Sequence, residues 1–133
     1  MDAWIEQYIG IPFKIHGRTR EAADCWGLVR LVLMEQYNIL LPSLTEHYDT
    51  LEDTEIVPIV STMLASKKFV RVQEPRSGDI VLLSFFGVAG HTALYVGDNY
   101  VLHTDPPGRG LSRVERLSGS RLVRRVEGYY RVE

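Results

Sequence analysis

Cys25 is the only cysteine in the chain, and it stands in the run Ala23-Asp24-Cys25-Trp26-Gly27-Leu28-Val29, where a polar loop gives way to apolar residues at helical spacing. A thiol at a helix N-terminus meets unpaired backbone N–H groups and the positive end of the helix dipole, and both favour the nucleophilic thiolate. Asp24 works the other way if it lies near the sulfur, because a neighbouring carboxylate disfavours an anion; it is also placed to cap the helix. A small buried hydrophobe packed under Trp26 is the equal alternative for Cys25. A single cysteine forms no internal disulfide, so nothing points to an oxidising compartment.

A thiol nucleophile needs a partner that takes and returns a proton near neutral pH, which means histidine. His16, in the loop, and His47, in an acidic segment, read as exposed polar residues. His91 opens a strand after Gly90, and His103 ends the next strand before Asp105-Pro106-Pro107. A three-residue hairpin loop, Gly97-Asp98-Asn99, sets Val96 opposite Tyr100 and Ala93 opposite His103, which makes His91 and His103 diagonal neighbours on one face. A two-residue loop puts them on opposite faces. In the first register His91 takes the thiol proton and His103 orients it. Two half-buried histidines bonded to backbone are the structural alternative. Cys25, His91 and His103 could also hold Zn²⁺ with a water, but no pair has the short local spacing of familiar zinc sites, and no metal or cofactor is expected.

The elements that must position these residues follow from pattern. The 133 residues, 45% hydrophobic and 24% charged, suit one α+β domain with its own core. Trp4, Ile5 and Tyr8 mark a short first helix ended by Gly10 and Pro12. Residues 13–23 read as a polar loop. From Asp24 to about Asn38, Leu28, Val29, Leu31, Val32 and Tyr37 recur at 3.6-residue spacing, with Arg30, Glu35 and Gln36 outward, which predicts a central, largely buried helix. Residues 54–66, with Pro58 in the first turn, predict a second helix. Strands are expected over 69–72, 80–85, 91–96, 100–104 and 122–132, as an antiparallel meander.

The net charge of −2 divides unevenly: residues 109–133 hold seven Arg and three Glu, and the rest of the chain is acidic. Arginines on an exposed strand read as a solvated edge that resists pairing, so no nucleic-acid partner is expected. Residues 46–55 carry five acids and no Lys or Arg, as a solvated loop does. The N-terminal run MDAWIEQYIG reads neither as a signal peptide nor as a membrane anchor.

The strings Y-I-G-I-P-F-K-I-H-G (8–17), D-C-W-G-L-V (24–29), R-S-G-D-I-V-L (76–82), G-H-T-A-L-Y-V-G (90–97) and Y-V-L-H-T (100–104) together resemble the NlpC/P60 cysteine peptidases. The likeness is greatest to small members encoded with the tail genes of long-tailed bacteriophages and prophages. It implies a papain-like core, with the Cys-bearing helix packed on an antiparallel sheet, and cleavage of peptidoglycan stem peptides, typically between D-glutamate and the diamino acid. It further implies Cys25 as nucleophile, His91 as base, His103 as the third polar residue and Phe13, Asp24 and Trp26 beside the substrate. The implied partners are the stem peptide and other tail-tip proteins, with the chain made in the host cytoplasm and carried in the virion tail tip. Two positions depart from the wider pattern. Phe13 replaces a frequent Tyr and so loses a hydroxyl, and Trp26 stands where many cell-wall members have Ser. The first departure keeps open a purely structural tail-tip role with little or no activity.

Overall fold

Asp24 starts the central helix. Its backbone is extended (φ −89°, ψ −175°), its side chain accepts a hydrogen bond from Gly27 N–H, and its carbonyl accepts from Leu28 N–H at 2.9 Å. The helix that follows, α1, runs Cys25–Tyr37 and stops where Asn38 turns left-handed (φ 55°, ψ 37°), a conformation Asn tolerates. The carbonyl of Leu33 accepts from the N–H groups of both Asn38 and Ile39 there. Residues 25–29 and 31–33 are all buried, as expected of a helix enclosed on most sides.

The structure is a computed structural model and describes residues 2–45, 68–85, 88–104, 111–119 and 121–132. The expected helix at 54–66, the acidic segment with His47, and the Asp105-Pro106-Pro107 loop lie outside the described residues. The first helix is a single 3-10 stretch, Ala3–Tyr8, followed by Gly10 at φ +87°. Within the expected polar loop stands a small hairpin, β1 (Arg18–Thr19) and β2 (Ala22–Ala23).

Six strands form the main antiparallel sheet: β3 (Phe69–Val72), β4 (Ile80–Phe85), β5 (Val88–Gly97), β6 (Tyr100–His103), β7 (Arg113–Arg116) and β8 (Val126–Val132). Their order is β3-β8-β4-β5-β6-β7. The meander therefore holds only from β4 to β7, and β8 returns to lie between β3 and β4. The expected strand at 122–132 opens instead with a 3-10 turn, Val123–Arg125. β7 is absent from the sequence reading; it forms an edge of the sheet and carries Arg113 and Arg116, as a protected edge does.

Alternation along the strands divides the apolar residues between two faces. Ile80, Leu82, Leu94, Val96 and Leu102 pack with Trp26, Leu28, Val29 and Val32 of α1. Val81, Leu83, Ala93 and Val101 pack with Leu117 and Leu122 on the other side. Ser112 ties the N-terminal segment to the sheet region: its hydroxyl donates to Tyr8 O and accepts from Ile11 N–H, and its backbone pairs with Gly10 and Ile11. The buried Asp79 forms a paired, two-pronged ion bridge with Arg131 of β8 at 2.9 and 2.8 Å.

Candidate active site

The β5–β6 hairpin decides how the two strand histidines relate. Its tip has two residues, Asp98 and Asn99, both left-handed (φ 51° and 69°), and Gly97 faces Tyr100. A two-residue tip was expected to separate His91 and His103. It does not, because a bulge at Val96 inserts one residue and restores Tyr95 opposite Val101 and Leu94 opposite Leu102. Carried one step further, that register sets Ala93 opposite His103. His91 and His103 are thus diagonal neighbours on one face, the arrangement expected of a three-residue loop, although the turn differs from the one expected to produce that register.

The two imidazoles are hydrogen-bonded, His91 Nε2 to His103 Nδ1 at 3.1 Å, with their rings nearly perpendicular. His103 is fully buried and His91 nearly so. From the far side, Glu115 of β7 places Oε1 3.0 Å from His103 Nε2. Arg113 and Arg121 donate to the same oxygen at 3.3 and 3.4 Å. Sequence reading missed Glu115, since a lone acid among arginines on an edge strand carries no local signal.

Cys25 occupies the first turn of α1 and is 5% exposed. Its sulfur lies close to the backbone N–H of Thr92, which belongs to the peptide joining Thr92 to His91. The thiol therefore meets β5 at the base of the histidine itself. Its pKa is pushed up to about 11, by burial first and by the Asp24 charge second; the Thr92 backbone N–H, the Thr92 hydroxyl and the Trp26 N–H pull the other way. The helix start was expected to favour the thiolate. In the resting protein desolvation and Asp24 outweigh it, so Cys25 is a thiol at neutral pH. Thr92 Oγ1 is buried without a hydrogen-bond partner at ordinary distance.

The other expected site residues divide. Asp24 is buried, caps α1 through Gly27 N–H at 2.8 Å, accepts from His16 N–H at 2.9 Å and pairs with Arg18 Nη1 at 2.8 Å. Trp26 is buried, and its indole N–H donates to Pro42 O at 2.9 Å. Both side chains thus brace the helix start from inside the fold, directly before and after Cys25. Phe13 is partly exposed and bridges Ala23, two residues before Cys25. Cys25, His91 and His103 do not converge as metal ligands, nor does any other group of three or more His, Cys, Asp or Glu among the described residues. No helix among those residues is long and apolar enough to cross a membrane.

Comparison with known proteins bears on the family and the fold. The NlpC/P60 family model matches residues 10–130. The murein DD-endopeptidase MepS/murein LD-carboxypeptidase of Escherichia coli K12 is 28% identical over 94 residues, which is 71% of this chain and 42% of that protein. A human relative, phospholipase A and acyltransferase 4, is 45% identical over 58 residues, 40% of this chain and 35% of its own. The chain thus spans well under half of either relative. Among solved structures, the NlpC/p60 domain of peptidoglycan hydrolase SagA superposes with a TM-score of 0.64 at 18% identity, covering 98% of this chain and 93% of that one. NlpC2 from Trichomonas vaginalis gives 0.69 at 12% identity, over 96% of this chain and 44% of that one. At such identities the structures establish the fold.

Proposed function

The chain belongs to the NlpC/P60 family, and from that premise we propose that it is a cysteine peptidase hydrolysing an amide bond of peptidoglycan stem peptides. The observation that carries this reading is the Cys25 thiol against the His91–Thr92 peptide, with His91 bonded to a buried His103 at 3.1 Å. Because the resting group is a thiol, His91 removes its proton as the sulfur attacks the scissile carbonyl carbon. The C–N bond then breaks, and His91 returns the proton to the leaving amine. Water, deprotonated by His91, hydrolyses the thioester and restores the thiol. The N–H groups of Gly27 and Leu28 are already held by Asp24. The oxyanion accordingly falls to the N–H groups of Cys25 and Trp26.

The bond between D-glutamate and the diamino acid is the proposed target, on the strength of the D-C-W-G-L-V and G-H-T-A-L-Y-V-G strings. The same strings, Trp26 in particular, support a tail-tip location in a bacteriophage or prophage, with synthesis in the host cytoplasm and delivery by the particle. A second reading, an assembly protein with the same fold and little activity, is favoured by Phe13 and by the high pKa of the buried thiol. Mass spectrometry of muropeptides incubated with the wild type and with Cys25→Ala decides between them. Products from the wild type alone support the peptidase, products from both overturn it, and products from neither favour the assembly protein. Peptide mapping of purified virions tests the location.

A further inference from the structure

We propose that Glu115 is a positioning residue of the site, which fixes the tautomers of His103 and His91 so that the basic nitrogen of His91 is Nδ1. The proposal rests on the peptidase reading for its catalytic consequence, and on geometry alone for its structural one.

His91, His103 and Glu115 lie 12 residues apart in turn and are joined by two successive hydrogen bonds of 3.1 and 3.0 Å. The spacing has a simple origin. Glu115 faces Val101 across β6–β7, and Ala93 faces His103 by extension of the β5–β6 register. Each polar residue is therefore a diagonal neighbour of the next on one face of the sheet, and the three form an oblique line across β5, β6 and β7.

The direction of each hydrogen bond follows from the outer end. A carboxylate only accepts. The guanidinium groups of Arg113 and Arg121 both donate to the same oxygen, so Oε1 is an acceptor on every side the structure shows. His103 Nε2 must then carry its hydrogen and donate to Glu115. In neutral His103 this leaves the lone pair on Nδ1, which accepts from His91 Nε2–H. His91, in turn, keeps its lone pair on Nδ1. When His91 gains the thiol proton, the imidazolium charge strengthens both bonds of the line, so Glu115 also stabilises the protonated base through His103. A neutral amide at position 115 can either accept or donate. It would allow His103 to turn its hydrogen towards His91, which would move the His91 hydrogen to Nδ1.

Histidine tautomers are read directly from ¹⁵N chemical shifts of protein labelled at histidine, in the wild type, Glu115→Gln and Glu115→Asp, with thermal melting to verify the fold. In the wild type, His103 and His91 are both expected with hydrogen on Nε2. In Glu115→Gln a mixture of tautomers is expected, together with a fall in muropeptide kcat on the order of a hundredfold at nearly constant KM, at the lower end of what a positioned base contributes. Glu115→Asp restores the single tautomer and part of kcat. Hydrogen on Nδ1 of His103 in the wild type overturns the proposal without recourse to any variant. Unchanged tautomers and kcat in a folded Glu115→Gln protein overturn it equally. A wild type that cuts no muropeptide defeats the peptidase reading alone, and the shifts still decide the role of Glu115.

Discussion

Asp24 holds Gly27 N–H at 2.8 Å and so builds the helix start that presents Cys25, while its charge raises the pKa of that same thiol. The residue that shapes the site thus also restrains it. Asp24→Asn keeps an oxygen for Gly27 and removes the charge. Alkylation of Cys25 by iodoacetamide at pH 8 should become severalfold faster. Stability should fall by about 1–3 kcal/mol, because Arg18 loses its ionic partner but keeps its bonds to Ser43 and Gly17. Slower alkylation would contradict this account of the pKa.

The raised thiol pKa also predicts how stability depends on pH. The folded protein holds the Cys25 proton up to about pH 11, against 9.0 for an unperturbed thiol. The corresponding stabilisation is complete below about pH 9 and is lost as pH rises towards 11, amounting to about 2–3 kcal/mol. Denaturant unfolding of the wild type and Cys25→Ala at pH 8 and 10.5 isolates it, since the other titrating groups cancel in the difference. A constant gap between the two proteins would rule it out.

Thr92→Val should separate reactivity from stability. The hydroxyl helps lower the Cys25 pKa but has no ordinary hydrogen-bond partner. Removing it should slow alkylation at a given pH while leaving the melting temperature equal or higher, because a buried unsatisfied group is relieved. Parallel rates and melting curves check both halves.

Gly27→Ala should destabilise the protein, against ordinary helix propensity. An added Cβ would stand 1.9 Å from Gly17 O, a backbone atom beside the β1–β2 hairpin. The hairpin must move, at a cost of about 1–3 kcal/mol or more, where an exposed helical Gly→Ala change would gain about 1 kcal/mol. A melting temperature at or above that of the wild type would refute the close approach.

Phe13→Tyr restores the hydroxyl frequent at this position in the resembled family. If that hydroxyl reaches the oxyanion, kcat on muropeptides should rise by about tenfold or more. No change would mean that backbone N–H groups alone serve the oxyanion.

Much of the site was legible because its parts are locally signalled. Asp24 and Asn38 bracket α1 with side chains suited to its two ends, and Gly, Asn and Asp mark the turns of β4, β5 and β6. The histidine pairing was legible only through two register possibilities, and the fold reached the productive one by a bulge at Val96 that no residue type announces. The β1–β2 hairpin was hidden because two-residue strands have no measurable period. β7 and Glu115 were hidden because a residue's role there depends on its diagonal neighbour in space, His103, which lies 12 positions away in sequence.

β8 is the last strand in sequence yet an interior strand of the sheet, between β3 and β4. A chain made from its N-terminus exposes Cys25, His91 and His103 well before the residues that seal the sheet behind them. Until β8 inserts, β4 has an open edge on the side away from β5, and Asp79 lacks Arg131. In chain order, then, Cys25, His91 and His103 all precede the strand that completes the scaffold around them. Deleting residues 126–132 would not trim a margin but would divide the sheet in two.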